Sequence, residues 1–128
     1  MQITDHQAAA NLRPALLDRL LDEAAGLGEA ARDAIVLQTH ATEAPPMERL
    51  RNQHELSVIA SHLGFSVAWL LEQKAILAGE LDRAGPPDDL RTELARPAAD
   101  ATDLDPHISG IGERTRRFAE RISRLAGN

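Results

Sequence analysis

The residues of this chain that could do chemistry are scattered, and their spacing rules out most of the chemistry they suggest. His54-Glu55-Leu56 opens like the helix of a zinc protease. There a second histidine must follow four residues later to share a face with the first, and that position is Val58. His62 stands about 12 Å farther along a helix, too far for one metal ion to hold both. The run GLGEAA from Gly26 satisfies the glycine-rich dinucleotide pattern in letters. The pattern works only where a strand precedes it and aims backbone amides at a pyrophosphate, and here a helical segment precedes it. Gly110-Ile111-Gly112 offers at most an anion site at a helix start. The acidic residues from Asp82 lack the glycine and ligand periodicity of a calcium loop. There is no cysteine for thiolate chemistry, disulfides or Cys-ligated zinc, and no serine, histidine and acid fall in a legible triad. The sequence therefore reads as non-enzymatic, with no metal and no cofactor.

One polar cluster survives this sorting. Arg114, Arg116, Arg117, Arg121 and Arg124 crowd the last helical segment beside Glu113 and Glu120. Guanidinium forks pair with carboxylates and phosphates, so Arg114, Arg117 and Arg121 are the candidate surface for an acidic partner. The competing reading is a solvated face, as charge runs usually are. The chain as a whole has 128 residues, a formal charge of -6 and a pI near 5.3. That balance argues against a general nucleic-acid or anionic-membrane surface. No stretch resembles a signal peptide or a membrane span, so a soluble cytoplasmic protein is expected.

The elements that must position these residues are helices. The length suits one domain over residues 1–128, and aromatics are only 2% of it, so Leu, Ile, Val and Ala must build the core. Asn11 can cap a first helix over about 12–38, with Pro14 in its first turn. Leu16, Leu17, Leu20, Leu21, Ala24, Leu27, Ala31, Ala34 and Ile35 recur there at helical spacing. Gly26 and Gly28 mark a kink or a close crossing. Pro45 and Pro46 close the connection to a central helix over about 47–82. A mostly exposed loop over 83–105 follows, with at most a short helix from Asp88. Asp105 or Ser109 caps a last helix over about 106–126, where Ile108, Ile111, Thr115, Phe118, Ile122 and Leu125 form a bundle seam. The expected fold is all-α: an antiparallel three-helix bundle.

The central segment carries two apolar stripes, one at Leu56, Ile59, Leu63, Val67, Leu70, Leu77 and Leu81, the other at Val58, Phe65, Trp69 and Ile76. Burial on two sides predicts packing on the bundle and on a second copy. Val58, Phe65, Trp69 and Ile76 are thus the candidate homodimer interface. An alternative breaks the segment at Gly64 into a helix-turn-helix over about 56–74. Ser66, Val67, Glu72, Gln73 and Lys74 would then face DNA as a transcriptional regulator. Glu72 and the scarcity of cations there oppose phosphate contact. In the continuous reading the bare Gly64 serves close packing instead.

Trp69-Leu70-Leu71, then Gln73-Lys74-Ala75-Ile76, then Gly79-Glu80-Leu81 resemble the central-helix signature of the bacterial regulator of CtrA degradation family. Glu55, Ile59 and Leu63 fit its upstream part, while Val58 and His62 stand where basic residues are expected. The resemblance implies a dimeric three-helix bundle acting as an adaptor that helps the ClpXP protease receive cell-cycle regulators, response regulators among them. A structural dimer without such partners is the remaining reading.

Overall fold

A computed structural model describes residues 12–41, 43–83 and 85–127. These residues hold four α-helices, α1 (Pro14–His40), α2 (Pro46–Leu77), α3 (Asp88–Leu94) and α4 (Pro106–Leu125), with a 3-10 turn at Ala101–Asp103. The described residues contain no strand. The four helices pack together: α2 touches α1, α3 and α4, and α4 also touches α1 and α3.

Helix starts follow the prolines. α1, α2 and α4 each begin with proline, which has a preset φ and no amide to leave unpaired. The expected Asn11 cap lies outside the described residues. Asp105 does cap α4, its Oδ1 accepting from the His107 amide at 2.8 Å. α2 ends at Leu77 rather than near Asp82 because Gly79 takes φ 76. The Glu80 amide then donates to the Ala75 carbonyl and the Gly79 amide to the Ile76 carbonyl, a Schellman motif. Leu77 and Leu81, expected in the buried stripe, are consequently exposed.

The glycines correct two expectations. α2 runs unbroken through Gly64, so no turn exists there for a helix-turn-helix. A Cβ at Gly64 would meet nothing within 4 Å, and the same holds at Gly26 and Gly28, so none of the three serves a close crossing. The close approach is at Gly112, where an added Cβ would come 2.6 Å from Glu55 Oε1.

The helix directions are a further correction. Asn52 Oδ1 accepts from the Asp105 amide at 3.0 Å, and seven residues on, Gly112 lies against Glu55 and Ile59. α2 and α4 therefore run the same way, not antiparallel. A parallel pair needs a connection that carries the chain back, and α3, within that connection, packs against α2. The connection is mostly exposed, as expected, with the short helix α3 from Asp88, and the buried Leu90 anchors it. α1 runs opposite to both, since Glu23 pairs with Arg121 while the C-terminal residues Ile35 and Thr39 line a groove with Gln53 and Leu56. Leu17, Leu20, Ile59, Leu70, Ile111, Phe118 and Ile122 form the core between these helices.

Candidate functional site

The arginines of α4 converge with α1 to form an open groove of about 660 Å³. Arg114, Arg117, Arg121 and Arg124 line it with Glu120, opposite Glu23, Gly26 and Leu27 of α1. Their spacing of three, four and three residues puts the four guanidiniums on one face over about 15 Å of helix. The three arginines expected to face an acidic partner are thus brought together, and Arg124 joins them. Arg116 is turned away: its Nη2 donates to the Leu94 carbonyl at 2.7 Å and its Nε lies 3.2 Å from Glu120 Oε1.

Two of the groove arginines are held by carboxylates. Arg121 pairs with Glu23 and Arg117 with Glu113, and the Arg121 guanidinium lies 5.5 Å from the centre of the Phe118 ring. The Arg121 and Glu23 side chains are 44% and 43% exposed. An ion pair this wet contributes little and exchanges readily. The groove can bind carboxylates or phosphates of an incoming group by trading one acid for another. Glu23 carries no signal in the sequence that would link it to Arg121, and Gly26 stood out there for its backbone, not for the space it leaves in the groove.

A second groove, about 320 Å³, lies where the connection crosses α2 and α4. His54, Glu55, Val58, His62, Glu93 and Arg116 are among its lining residues. Burial raises the Glu55 pKa above its usual value, with His54 and Arg116 pulling part of the way back. Burial likewise lowers that of His62, against an opposing hydrogen bond to the Glu93 backbone. His62 Nε2 is buried without a hydrogen-bond partner among the described residues. No group of three or more His, Asp or Glu among the described residues is placed to hold a metal ion.

The four residues expected at a dimer interface separate. Trp69 is 3% exposed and belongs to the core of its own chain, which removes it from that surface. Phe65 is half-buried against the same core, Val58 lines the second groove, and Ile76 is half-buried. The double stripe arises because α1 covers one side of α2 while α3 and α4 cover the other. The larger exposed apolar side chains lie in two groups, Ile35, Val36, Leu37, Met47 and Leu50 toward the start of α2, and Leu71, Leu77 and Leu81 toward and just past its end. None of the described helices is long and apolar enough to cross a membrane. No family model matches the chain, and neither a curated protein nor a solved structure matches it.

Proposed function

We propose that this protein is a non-catalytic adaptor that uses its arginine groove to hold an acidic protein partner, and that it works as a homodimer in the cytoplasm. The observation that carries the reading is the convergence of Arg114, Arg117, Arg121 and Arg124 on one groove with Gly26 opposite. The wet pairs to Glu23 and Glu113 support reversible exchange, and a rigid helical face limits the ordering cost of binding. The resemblance carried by Trp69 to Leu81 supplies the partner class: components of ClpXP and response regulators delivered to it.

The test is affinity capture from host lysate with the wild type and with Arg117→Glu/Arg121→Glu, identifying protein and nucleic acid together. ClpX and acidic regulators should be recovered by the wild type and lost with the charge reversal. Equal recovery by both proteins would overturn the groove assignment. Recovery of DNA that washes off with salt would return the chain to the DNA-binding reading.

A further inference from the structure

The α1–α2 hairpin extends past the start of α4, although Leu50 and Arg51 still border Asp100, Asp103 and Leu104 of the connection. The Asn52 to Asp105 bond sets the start of α4 level with Asn52, so residues 46–51 of α2 project about 9 Å beyond it. The last turns of α1 accompany them. Ala34 is the last buried residue of α1 and Asn52 the first of α2, and none of the described residues between them is buried. On this tip Ile35, Val36, Leu37, Met47 and Leu50 are 48%, 50%, 61%, 58% and 58% exposed.

From this placement we infer that the hairpin tip is the self-association surface, and that a second copy of the chain covers it, hairpin against hairpin. Area and charge both point to that occupant. Together the five half-exposed side chains expose on the order of 400–500 Å², and because Ile35, Val36 and Leu37 are consecutive they wrap around the end of α1 rather than lie on one face. A stable interface buries roughly 800 Å² per partner, so the polar residues around them must supply the remainder. The chain carries a formal charge of -6, which opposes contact between copies over most of the surface. Residues 32–54 are neutral, because Asp33, Glu43 and Glu48 are matched by Arg32, Arg49 and Arg51. Two copies therefore meet there without net repulsion, in an isologous contact about a two-fold axis. Two antiparallel hairpins packed face to face also restore the four-helix arrangement that the tip lacks on its own.

The inference rests on the homodimer within the proposed function, but not on the arginine groove or its partner. The experiment is light scattering after size exclusion at increasing concentration, on the wild type and on Leu37→Glu/Leu50→Glu. Both substituted residues are exposed, so circular dichroism should report unchanged helix. The wild type should have twice the chain mass, and the variant the mass of one chain. Ile35→Ser/Met47→Ser, which adds no charge, should weaken the dimer at least tenfold. A wild type that stays monomeric would overturn the inference together with the homodimer, and would leave the tip to residues 1–11 or to a different protein. A variant that stays folded and dimeric would overturn the tip alone.

Discussion

Gln73 is a buried amide whose replacement should stabilise the protein. It lies on α2 at 2% exposure, and neither Oε1 nor Nε2 has a hydrogen-bond partner. A buried polar group without a partner costs about 1–3 kcal/mol. Gln73→Leu keeps a comparable volume, removes both polar atoms and loses less rotamer freedom on burial. The expected gain is about 1–3 kcal/mol, with part of it offset by the branched side chain's imperfect fit. For a chain of this size each kcal/mol raises Tm by about 3–5 °C.

Urea unfolding followed by circular dichroism measures this directly. The midpoint should rise while the slope stays constant, since the exposed area hardly changes. Gln73→Glu is the companion. It places an ionisable carboxyl at the same buried position and should destabilise by several kcal/mol at neutral pH, less so in acid. A loss of more than 1 kcal/mol in Gln73→Leu would refute the reasoning, because it would mean that the amide is hydrogen-bonded in solution.

Three further outcomes follow from named side chains. The folded His62 pKa is lowered, so its contribution to stability is present above the usual value of 6.5 and is lost as pH falls through the folded value. The folded Glu55 pKa is raised, so its contribution is present below the usual 4.5 and is lost as pH rises through the folded value. Urea midpoints should therefore fall on acidification below pH 6.5 in the wild type and flatten there in His62→Gln; an unchanged slope in that variant would disprove the assignment. Gly112→Ala should move the Glu55 carboxyl off α4, because that flexible end meets the new Cβ at 2.6 Å. An NMR titration should then show the Glu55 pKa falling back toward its ordinary value, with stability changed by less than about 1 kcal/mol. Gly64→Ala should stabilise by about 1 kcal/mol, since the site is helical and open. A destabilised Gly64→Ala would instead point to a turn.

The parts of the fold legible in the sequence are those governed by neighbours in the chain. Helical spacing marked the three long helices, the prolines marked their starts, and Asp105 marked the cap of α4. The arginine face was legible because three- and four-residue steps place side chains together whatever the tertiary arrangement. The parts that failed depend on distant partners. Nothing in Asn52 announces a bond to Asp105, so the parallel course of α2 and α4 was out of reach. The stripe through Trp69 was correctly seen as a second buried side, yet periodicity does not say whether the covering helix comes from the same chain. Leu77 and Leu81 kept the apolar period up to and beyond Gly79, where the backbone turns and the helix ends.

The same division separates the signature residues of α2 by the work they do. Trp69 and Leu70 are in the core, Gln73 is buried, and Gly79 makes the turn that ends the helix. Those residues serve the fold, and any chain needing this central helix has a physical reason to hold them. A contact read through the signature falls to Leu71, Lys74 and Glu80, which are exposed. Leu71 and Lys74 lie more than 20 residues from Leu50 along α2, or about 30 Å, and Glu80 follows the end of that helix. The hairpin tip and this end of the bundle are therefore far enough apart to be engaged at once. An adaptor requires that separation, since a surface covered by its own second copy cannot also receive a partner.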